Sequence, residues 1–311
     1  MKALNYDDIL LTANYSELES RDLAGTFCRL CGKTFRLPVI PANMQDVIDV
    51  DIARYLANNG YFYIMHRFDN ITASFVRTAN SEKWPLISIS TGVESGSLRE
   101  LETIRDSLFG VHFITIDVAH GHHKKVEEGI KWIKRNLPQA NIIAGNVMTP
   151  EAVKFLYEAG ADAVKIGIGQ GSICTTRFQT GFSMPMFTCI QECVQGTNLP
   201  LIADGGIQYP GDIAKALVAG ATMVMSGKLF APCIDSPAKI INNKKQYRGS
   251  TSLAAKRHNK HIEGITLDLE ADITFAERIQ EITEALQSAI SYAGGENLTA
   301  FKKVKWTEIN S

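Results

Sequence analysis

A short β-rich run of apolar residues recurs eight times along this chain, and each run is followed by a stretch with helical periodicity. The sequence predicts strands over Leu37–Ala42, Tyr61–Met65, Leu86–Ser90, Phe113–Asp117, Asn141–Ala144, Ala163–Ile168, Leu201–Ala203 and Met223–Met225. The helices between them have recognisable ends. Thr149 predicts an N-cap, Pro150 fits the first helical position, and Gly160 is placed to end that helix. Eight βα units in series favour a closed parallel barrel over an open sheet.

The predicted fold class is therefore α/β, as a single (β/α)8 TIM barrel. A chain of 311 residues suits one such barrel with insertions. The first 36 residues precede the first strand and are expected to form an N-terminal arm, and Ile273–Tyr292 is expected to form a closing C-terminal helix. Since no linker or change in composition divides the sequence, residues 1–311 are expected to form one domain.

Charge and hydropathy exclude several classes of partner. The net charge is −1 and the pI is about 6.7, and the chain contains no long basic run, so no nucleic-acid partner is expected. Asp7 and Asp8 stand where a signal peptide needs its apolar core. No apolar stretch approaches the roughly 18 residues of a membrane span. We expect a cytoplasmic protein without a membrane partner.

The six cysteines are expected to be free thiols, because a large chain of this kind is not a disulfide framework. Cys28 and Cys31 form a C-x-x-C pair without a second Cys or His pair at zinc-finger spacing. A turn between two N-terminal strands is the favoured interpretation, and a metal site is the alternative. Cys189 and Cys193 lie four residues apart on a predicted helix and are interpreted as small core residues.

In a barrel of this kind the functional site lies at the carboxyl ends of the strands. The sixth predicted strand runs into Gly169-Gln-Gly-Ser-Ile-Cys-Thr-Thr-Arg177, where two glycines allow a sharp turn close to a ligand. The turn presents Cys174 near a fixed positive charge and near backbone N–H groups. These surroundings activate a thiol as a nucleophile. The alternative is a glycine-rich turn with an incidental cysteine.

Glycines also follow the seventh and eighth predicted strands, as Gly205-Gly206 and Gly227. Loops at these two positions form the phosphate site in many barrels, because bare backbone N–H groups converge there on an anion. Asp204 stands beside the first pair and is suited to accept hydrogen bonds from a ribose diol. Together these residues favour a nucleotide ligand. Tight-turn glycines and a helix-capping aspartate are the alternatives.

The motifs resemble those of the purine nucleotide family of IMP dehydrogenase and GMP reductase, and the resemblance runs essentially end to end. It rests on the cysteine loop, on Ala203-Asp-Gly-Gly-Ile207 and on Tyr247-Arg-Gly-Ser250. Four further segments resemble the bacterial GMP reductase branch of this family: Pro41–Gln45, Tyr61–Phe68, Ile116–His122 and Gln287–Gly295.

Two features separate the branches. The family's dehydrogenases usually carry a regulatory domain between barrel units two and three, and here Met65 to Leu86 leaves no room for one. They also need a long flap with an Arg-Tyr pair that activates water, whereas thirteen residues without such a pair separate Gly249 from Glu263. The resemblance therefore implies NADPH-dependent reductive deamination of GMP to IMP and ammonia, through a covalent cysteine thioimidate.

The resemblance also assigns roles to individual residues. Cys174 would be the nucleophile, and Thr176 and Glu263 would relay protons to the leaving amine. The substrate-binding residues would be Ser172, Asp204, Gly205, Gly206, Ser226, Gly227, Tyr247, Gly249, Ser250 and Lys260. The residues at the cofactor would be Asp117, Ala119, His120 and Gly121. Backbone carbonyls of Gly169, Gly171 and Cys174 would face a monovalent cation such as K⁺, and the family implies a homotetramer.

The sequence departs from the family at three places. Gln170 replaces the proline usual before the nucleophile, Gly181-Phe-Ser-Met-Pro185 lacks a second glycine, and Phe230-Ala-Pro-Cys233 replaces an expected Ala-Gly. Three alternatives stay open: an IMP dehydrogenase with a minimal flap, a reductase for a modified or deoxy purine nucleotide, and a purine-nucleotide-binding module without turnover. His120, His122 and His123 leave a metal site as a further alternative.

Overall fold

The computed structural model describes residues 2–250, 252 and 262–309. Its strands are β1 Ile9–Thr12, β2 Cys28–Leu30, β3 Lys33–Phe35, β4 Val39–Pro41, β5 Ser88–Thr91, β6 Phe113–Asp117, β7 Asn141–Val147, β8 Ala163–Ile166, β9 Leu201–Asp204, β10 Met223–Ser226, β11 Ile240–Ile241, β12 Lys244–Arg248, β13 Thr266–Glu270 and β14 Lys305–Glu308. Its α-helices are α1 Val50–Asn58, α2 Thr72–Ser81, α3 Ser95–Asp106, α4 Lys124–Asn136, α5 Pro150–Ala159, α6 Thr176–Thr180, α7 Met186–Cys193, α8 Pro210–Ala219 and α9 Phe275–Tyr292.

A curled parallel sheet of seven strands forms the centre of the molecule, in the order β4-β10-β9-β8-β7-β6-β5. The last strand of the series, β10, pairs in parallel with the first, β4, with Val224 opposite Val39. An open sheet would leave these two strands far apart, whereas a barrel brings them together. Helices follow the strands and pack outside them, so the predicted (β/α)8 barrel is confirmed.

The second predicted strand, Tyr61–Met65, is wrong except at its last residue. Met65 alone forms a parallel bridge to Ile89, with its N–H donating to Ser88 at 3.1 Å and its carbonyl accepting from Ser90 at 2.9 Å. All five residues of the run are nonetheless buried. The ring of Phe62 lies 5.0 Å from that of Phe35 and 4.9 Å from that of Phe113. Side-chain packing therefore holds this segment beside β5 without a full backbone ladder.

The other predicted strands form, with ends that differ by up to three residues. β8 ends at Ile166 and not at Ile168 because Gly167 leaves the strand with φ 120°. β5 begins two residues late because the N–H of Ile87 donates to the His112 imidazole at 2.9 Å. β7 continues three residues past its predicted end. Local side-chain and glycine effects, which periodicity does not capture, set these boundaries.

Helix ends follow the predicted capping residues. The Thr149 hydroxyl accepts from the N–H of Ala152, and α5 ends at Gly160 with φ 109°. The closing helix α9 begins at Phe275, two residues later than predicted, because Thr274 and Glu277 form a capping box.

The N-terminal arm contributes β1, which pairs antiparallel with β14 near the other end of the chain, and the hairpin β2–β3. The C-x-x-C pair lies at this hairpin, whose turn residues Cys31 and Gly32 both have positive φ, so the predicted turn is confirmed. Cys189 and Cys193 are fully buried on α7, as predicted. In the described part of the chain, no helix combines the length and apolar character needed to cross a membrane.

Candidate active site

Two adjoining cavities open at the carboxyl ends of the barrel strands, one of about 430 Å³ and one of about 190 Å³. They share the residues of their common boundary: Ala42, Met44, Cys174, Asp204, Met225, Ser250 and Glu263. A reactive group at this boundary reaches a ligand in either cavity. The position of Cys174 there distinguishes it from the fully buried thiols of Cys189, Cys193 and Cys233.

The loop that carries Cys174 is fixed by backbone contacts. It leaves β8 through Gly167, where a Cβ atom would lie 2.2 Å from the carbonyl oxygen of Asp204, so a side chain cannot be accommodated. The N–H of Cys174 donates to Gly171 at 2.9 Å. The loop also pairs with the segment after β12: the N–H of Thr175 donates to the carbonyl of Glu263 at 2.8 Å. This pairing brings Glu263 next to Thr176, which lies 87 positions away in sequence.

A chain of hydrogen bonds joins the three residues predicted to be catalytic. The Cys174 thiol lies 3.2 Å from the Thr176 hydroxyl oxygen. That hydroxyl donates in turn to Oε2 of Glu263 at 2.6 Å. Because each group donates to the next, a proton that leaves the thiol has a path to the carboxylate. The arrangement is that of a nucleophile connected to a base through a hydroxyl.

A buried ionic network lies beneath the cavities. The ammonium of Lys165, on β8, lies 2.8 Å from the Asp117 carboxylate at the end of β6 and 2.6 Å from the Asp204 carboxylate at the end of β9. Lys165 is 2% exposed. It reaches Asp117 across β7 because the intervening residue is Gly145, where a Cβ atom would lie 2.8 Å from that of Lys165. Glycine at this position therefore allows the ion pair to form.

The charges of this network stabilise one another. Burial by itself would lower the pKa of Lys165, but the two carboxylates raise it above its usual value. Burial likewise opposes ionisation of Asp117, and Lys165 outweighs it, so the pKa of Asp117 lies below its usual value. Asn146 donates to Oδ2 of Asp204 at 2.9 Å, and Asn43 donates to Oδ2 of Asp117 at 3.0 Å. Lys165 and Asp117 are therefore held ionised, and the two asparagines orient both carboxylates.

Glycines of the loops after β9 and β10 line the smaller cavity. Gly205 and Gly206 have φ of 118° and 78°, a conformation that other residues rarely adopt. A Cβ atom on Gly227 would lie 1.9 Å from the Tyr247 hydroxyl. The backbone N–H groups of Gly205, Gly206, Gly227 and Lys228 have no hydrogen-bond partner among the described residues. Free N–H groups around one cavity form an anion-binding surface.

The remaining predicted substrate residues fall in different places. Ser172, Gly249 and Ser250 line the smaller cavity. Ser226 lines it too, but its hydroxyl is engaged with the Ile207 carbonyl at 3.2 Å and with the N–H of Leu229 at 3.3 Å. Its hydroxyl is therefore already hydrogen-bonded to the backbone of the two neighbouring loops. Lys260 lies outside the described residues.

The larger cavity is lined by two of the four predicted cofactor residues, Asp117 and Ala119. His120 and Gly121 lie beside it in the same loop. The N–H of Gly121 donates to the carbonyl of Asn146 at 2.7 Å. Arg67 also lines this cavity, and its Nε is buried with no hydrogen-bond partner in the described part of the chain.

The three histidines after β6 do not converge on one point. The rings of His120 and His122 are 6.4 Å apart, and Nδ1 of His123 caps α4 by accepting from Lys125. Within residues 2–250, 252 and 262–309, no group of three or more His, Cys, Asp or Glu side chains is arranged to hold a metal ion. The carbonyls of Gly169, Gly171 and Cys174 lie in the cysteine loop, and that of Gly171 accepts the Cys174 N–H.

Four polar residues of this site have no role assigned from the sequence: Asn43, Arg67, Asn146 and Lys165. The first three were expected only to lie at the carboxyl ends of their strands. The strongest available signal was Lys165, which interrupts the apolar run Ala163–Ile168. A charged residue in a buried strand needs an opposite charge nearby. Asp117 and Asp204, at the ends of neighbouring predicted strands, were the residues that could supply it.

Known proteins similar in sequence to this chain identify its family. The sequence profile of the IMP dehydrogenase / GMP reductase domain family matches residues 3–311. The chain is similar to a protein named GMP reductase from Streptococcus equi subsp. equi, with 43% identity over 100% of the chain and 96% of the relative. It is 43% identical to a GMP reductase of Shouchella clausii over 99% and 95% of the two chains, and 42% identical to one of Enterococcus faecalis over 100% and 98%. The chain belongs to the IMP dehydrogenase / GMP reductase family.

Proposed function

We propose that this protein catalyses the NADPH-dependent reductive deamination of GMP to IMP and ammonia, a step of purine nucleotide salvage, through a covalent adduct on Cys174. The observation that carries the proposal is the hydrogen-bonded chain from Cys174 through Thr176 to Glu263, at the boundary of two cavities. The identity of 43% with proteins named GMP reductase supports this substrate and direction.

In the first half-reaction, the Cys174 sulfur forms a bond to C2 of GMP. The thiol proton passes through the Thr176 hydroxyl to Glu263, along the contacts of 3.2 and 2.6 Å. Glu263 then returns this proton to the amine at C2. Protonation is required because an amide anion is not a viable leaving group at neutral pH. Ammonia departs, and a thioimidate links the purine to Cys174.

In the second half-reaction, C2 accepts a hydride, and the carbon–sulfur bond breaks to release IMP and the Cys174 thiolate. This hydride would come from NADPH held in the larger cavity. Reduction is favoured over hydrolysis because residues 250–262 contain no Arg-Tyr pair to activate water.

The smaller cavity is suited to the ribose phosphate. The free N–H groups of Gly205, Gly206, Gly227 and Lys228 would bind the phosphate. Oδ1 of Asp204 has no hydrogen-bond partner among the described residues, since Lys165 and Asn146 both bind Oδ2. This oxygen would accept from the ribose diol. Burial raises the pKa of Tyr247, which keeps its hydroxyl protonated as a donor at the phosphate end.

The larger cavity fits the nicotinamide end of the cofactor. Its volume of about 430 Å³ adjoins Cys174, and it contains the unpartnered Nε of Arg67. A buried guanidinium N–H without a protein partner can donate a hydrogen bond to an acceptor atom of a ligand. Asp117 and Ala119 would contact the same ligand, and the neighbouring His120 and Gly121 would shape the rim.

A monovalent cation such as K⁺ would be held by the cysteine loop. The carbonyls of Gly169 and Cys174 accept no hydrogen bond within the described part of the chain, and Gly171 retains a second lone pair. A cation bound there would fix the loop conformation that presents Cys174. We further propose that residues 1–311 form one catalytic domain that assembles as a homotetramer in the cytoplasm.

The test is an assay of NADPH absorbance with a panel of purine nucleotides. The proposal predicts NADPH oxidation with GMP, with IMP and ammonia as products, and little oxidation with AMP or XMP. NADH in place of NADPH, and Na⁺ or Li⁺ in place of K⁺, test the cofactor and cation. Oxidation of IMP to XMP with NAD as the main activity would contradict the proposal.

A further inference from the structure

The smaller cavity has an uneven distribution of charge. Asp204 and Glu263 both line it and face the space proposed for a ligand that itself carries a dianionic phosphate. The Lys165 ammonium pairs with the Asp204 carboxylate, but Lys165 does not line this cavity. Among the described residues that do line it, Lys228 is the one with a positive charge.

Lys228 lies beside the free N–H groups of the smaller cavity. It directly follows Gly227 in the loop after β10, and its own N–H has no partner among the described residues. The side chain is half-buried. Its ammonium donates to Oε1 of Gln208 at 2.6 Å. Gln208 lies in the loop after β9, so this hydrogen bond spans the two loops that surround the predicted phosphate position.

Gln208 is itself held in place, because its N–H donates to Oδ2 of Asp212 at 2.9 Å. A neutral amide therefore orients the Lys228 ammonium without neutralising it. No carboxylate of the described residues lies within 4.0 Å of this ammonium. By contrast, Lys165, Lys134 and Lys215 all have a carboxylate within that distance. A partly desolvated cation that lacks a counter-charge, next to four free N–H groups, is complementary to an anion.

We propose that Lys228 binds the phosphate of the substrate and that Gln208 positions it there, so that this side chain selects a nucleoside monophosphate over the nucleoside. The proposal rests on the proposed function for the identity of the substrate. Lys228 acts on binding, since the phosphate end of the substrate takes no part in bond making at C2. Its charge therefore contributes to the ground state and the transition state alike.

The experiment compares wild type with Lys228→Gln, Lys228→Arg and the control Lys154→Gln. Lys154 is a suitable control because it is an exposed lysine on α5, outside both cavities. KM and kcat for GMP are measured at two salt concentrations, together with competitive inhibition by inorganic phosphate. Calorimetric titration with GMP and with phosphate provides a readout that is independent of turnover.

We expect Lys228→Gln to raise KM for GMP about tenfold, with kcat within about twofold, because a charge-assisted hydrogen bond to phosphate is lost. The inhibition constant of inorganic phosphate should rise by a similar factor, and KM should depend less on salt. Lys228→Arg should retain most of the affinity. Unchanged KM and unchanged phosphate inhibition in Lys228→Gln would overturn the proposal, even if the wild type reduces GMP.

If the wild type does not reduce GMP, the proposed function fails, and the calorimetric comparison still decides the role of Lys228. Weaker phosphate binding in Lys228→Gln than in Lys154→Gln would then support an anion site at this lysine. Equal binding in the two variants would refute it.

Discussion

Replacement of Lys165 by methionine tests whether the buried ionic network holds the site together. Lys165 is 2% exposed and contacts both Asp117 and Asp204. Its loss leaves two carboxylates at one end of the barrel with no cation between them. Removal of one partner from a buried ion pair typically costs about 3–5 kcal/mol. Because both carboxylates remain about a quarter exposed (22% and 24%) and keep their asparagine donors, we expect the lower value, about 3 kcal/mol at pH 7.5.

The stability lost in Lys165→Met should be smaller at acidic pH than at neutral pH. In the wild type the pKa of Asp117 lies below its usual value, so its ionised form contributes stability above about pH 4, which is lost as the pH falls through the folded pKa. The raised pKa of Lys165 contributes stability at all pH values below about 10. Without Lys165, burial and the neighbouring carboxylate should raise the pKa of Asp117 above its usual value. Protonation of Asp117 then removes one of the two unpaired negative charges, so the variant loses less stability as the pH falls.

The assay is urea unfolding at one protein concentration, at pH 7.5 and pH 5. The difference between wild type and Lys165→Met should shrink by about 1–2 kcal/mol at pH 5, since one pKa unit corresponds to about 1.4 kcal/mol. Addition of Asp117→Asn should recover part of the loss at pH 7.5. Lys154→Met, at a lysine 65% exposed in its side chain, is the control and should cost less than about 0.5 kcal/mol. A loss below about 1 kcal/mol, or one that is equal at both pH values, would refute the reasoning.

Three further outcomes are expected. Glu263→Gln should abolish GMP reduction but leave part of the reverse hydride step, because only deamination needs a proton delivered to the leaving amine. Stopped-flow NADPH formation from IMP and NADP measures that step, and intact GMP reduction in this variant would remove Glu263 from the relay. Gly227→Ala should destabilise the fold by about 2 kcal/mol, because its Cβ would lie 1.9 Å from the Tyr247 hydroxyl. Urea unfolding of this variant, with and without Tyr247→Leu, measures the clash. An unshifted unfolding midpoint in Gly227→Ala would exclude it. Guanosine should be a very poor substrate, because the phosphate site supplies the energy that orients the purine; equal kcat/KM for guanosine and GMP would show that the cavity assignment is wrong.

The fold could be predicted largely because repetition is visible in a single sequence. Seven of the eight runs form strands, and capping residues such as Thr149 and Gly160 define their helix as predicted. Tyr61–Met65 could not be predicted correctly, because its composition is that of a strand while its aromatic packing takes the place of strand pairing. Strand ends depended on single interactions, such as the one between Ile87 and His112, that have no signature in sequence.

The site could be predicted where its reactive residues lie in one loop. It could not be predicted fully where residues far apart in sequence meet only in the folded barrel. Cys174 and Thr176 are close in sequence, so their proximity was evident. Glu263 was placed by family resemblance, because nothing local in the sequence brings it to the cysteine loop. Lys165 was overlooked because its partners lie on β6 and β9, and their contact depends on barrel closure and on the absence of a side chain at Gly145.

The most direct measurement is a search for the covalent adduct on Cys174. Wild type is incubated with IMP and NADP, quenched in acid and digested, and its peptides are analysed by mass spectrometry. The account predicts a purine nucleotide attached to the peptide that contains Cys174, and NADPH formed in an equal amount. In Cys174→Ala no adduct should form and GMP turnover should fall below about a thousandth of wild type, while GMP still binds. Turnover above that level in Cys174→Ala, or an adduct on a different residue, would contradict the account.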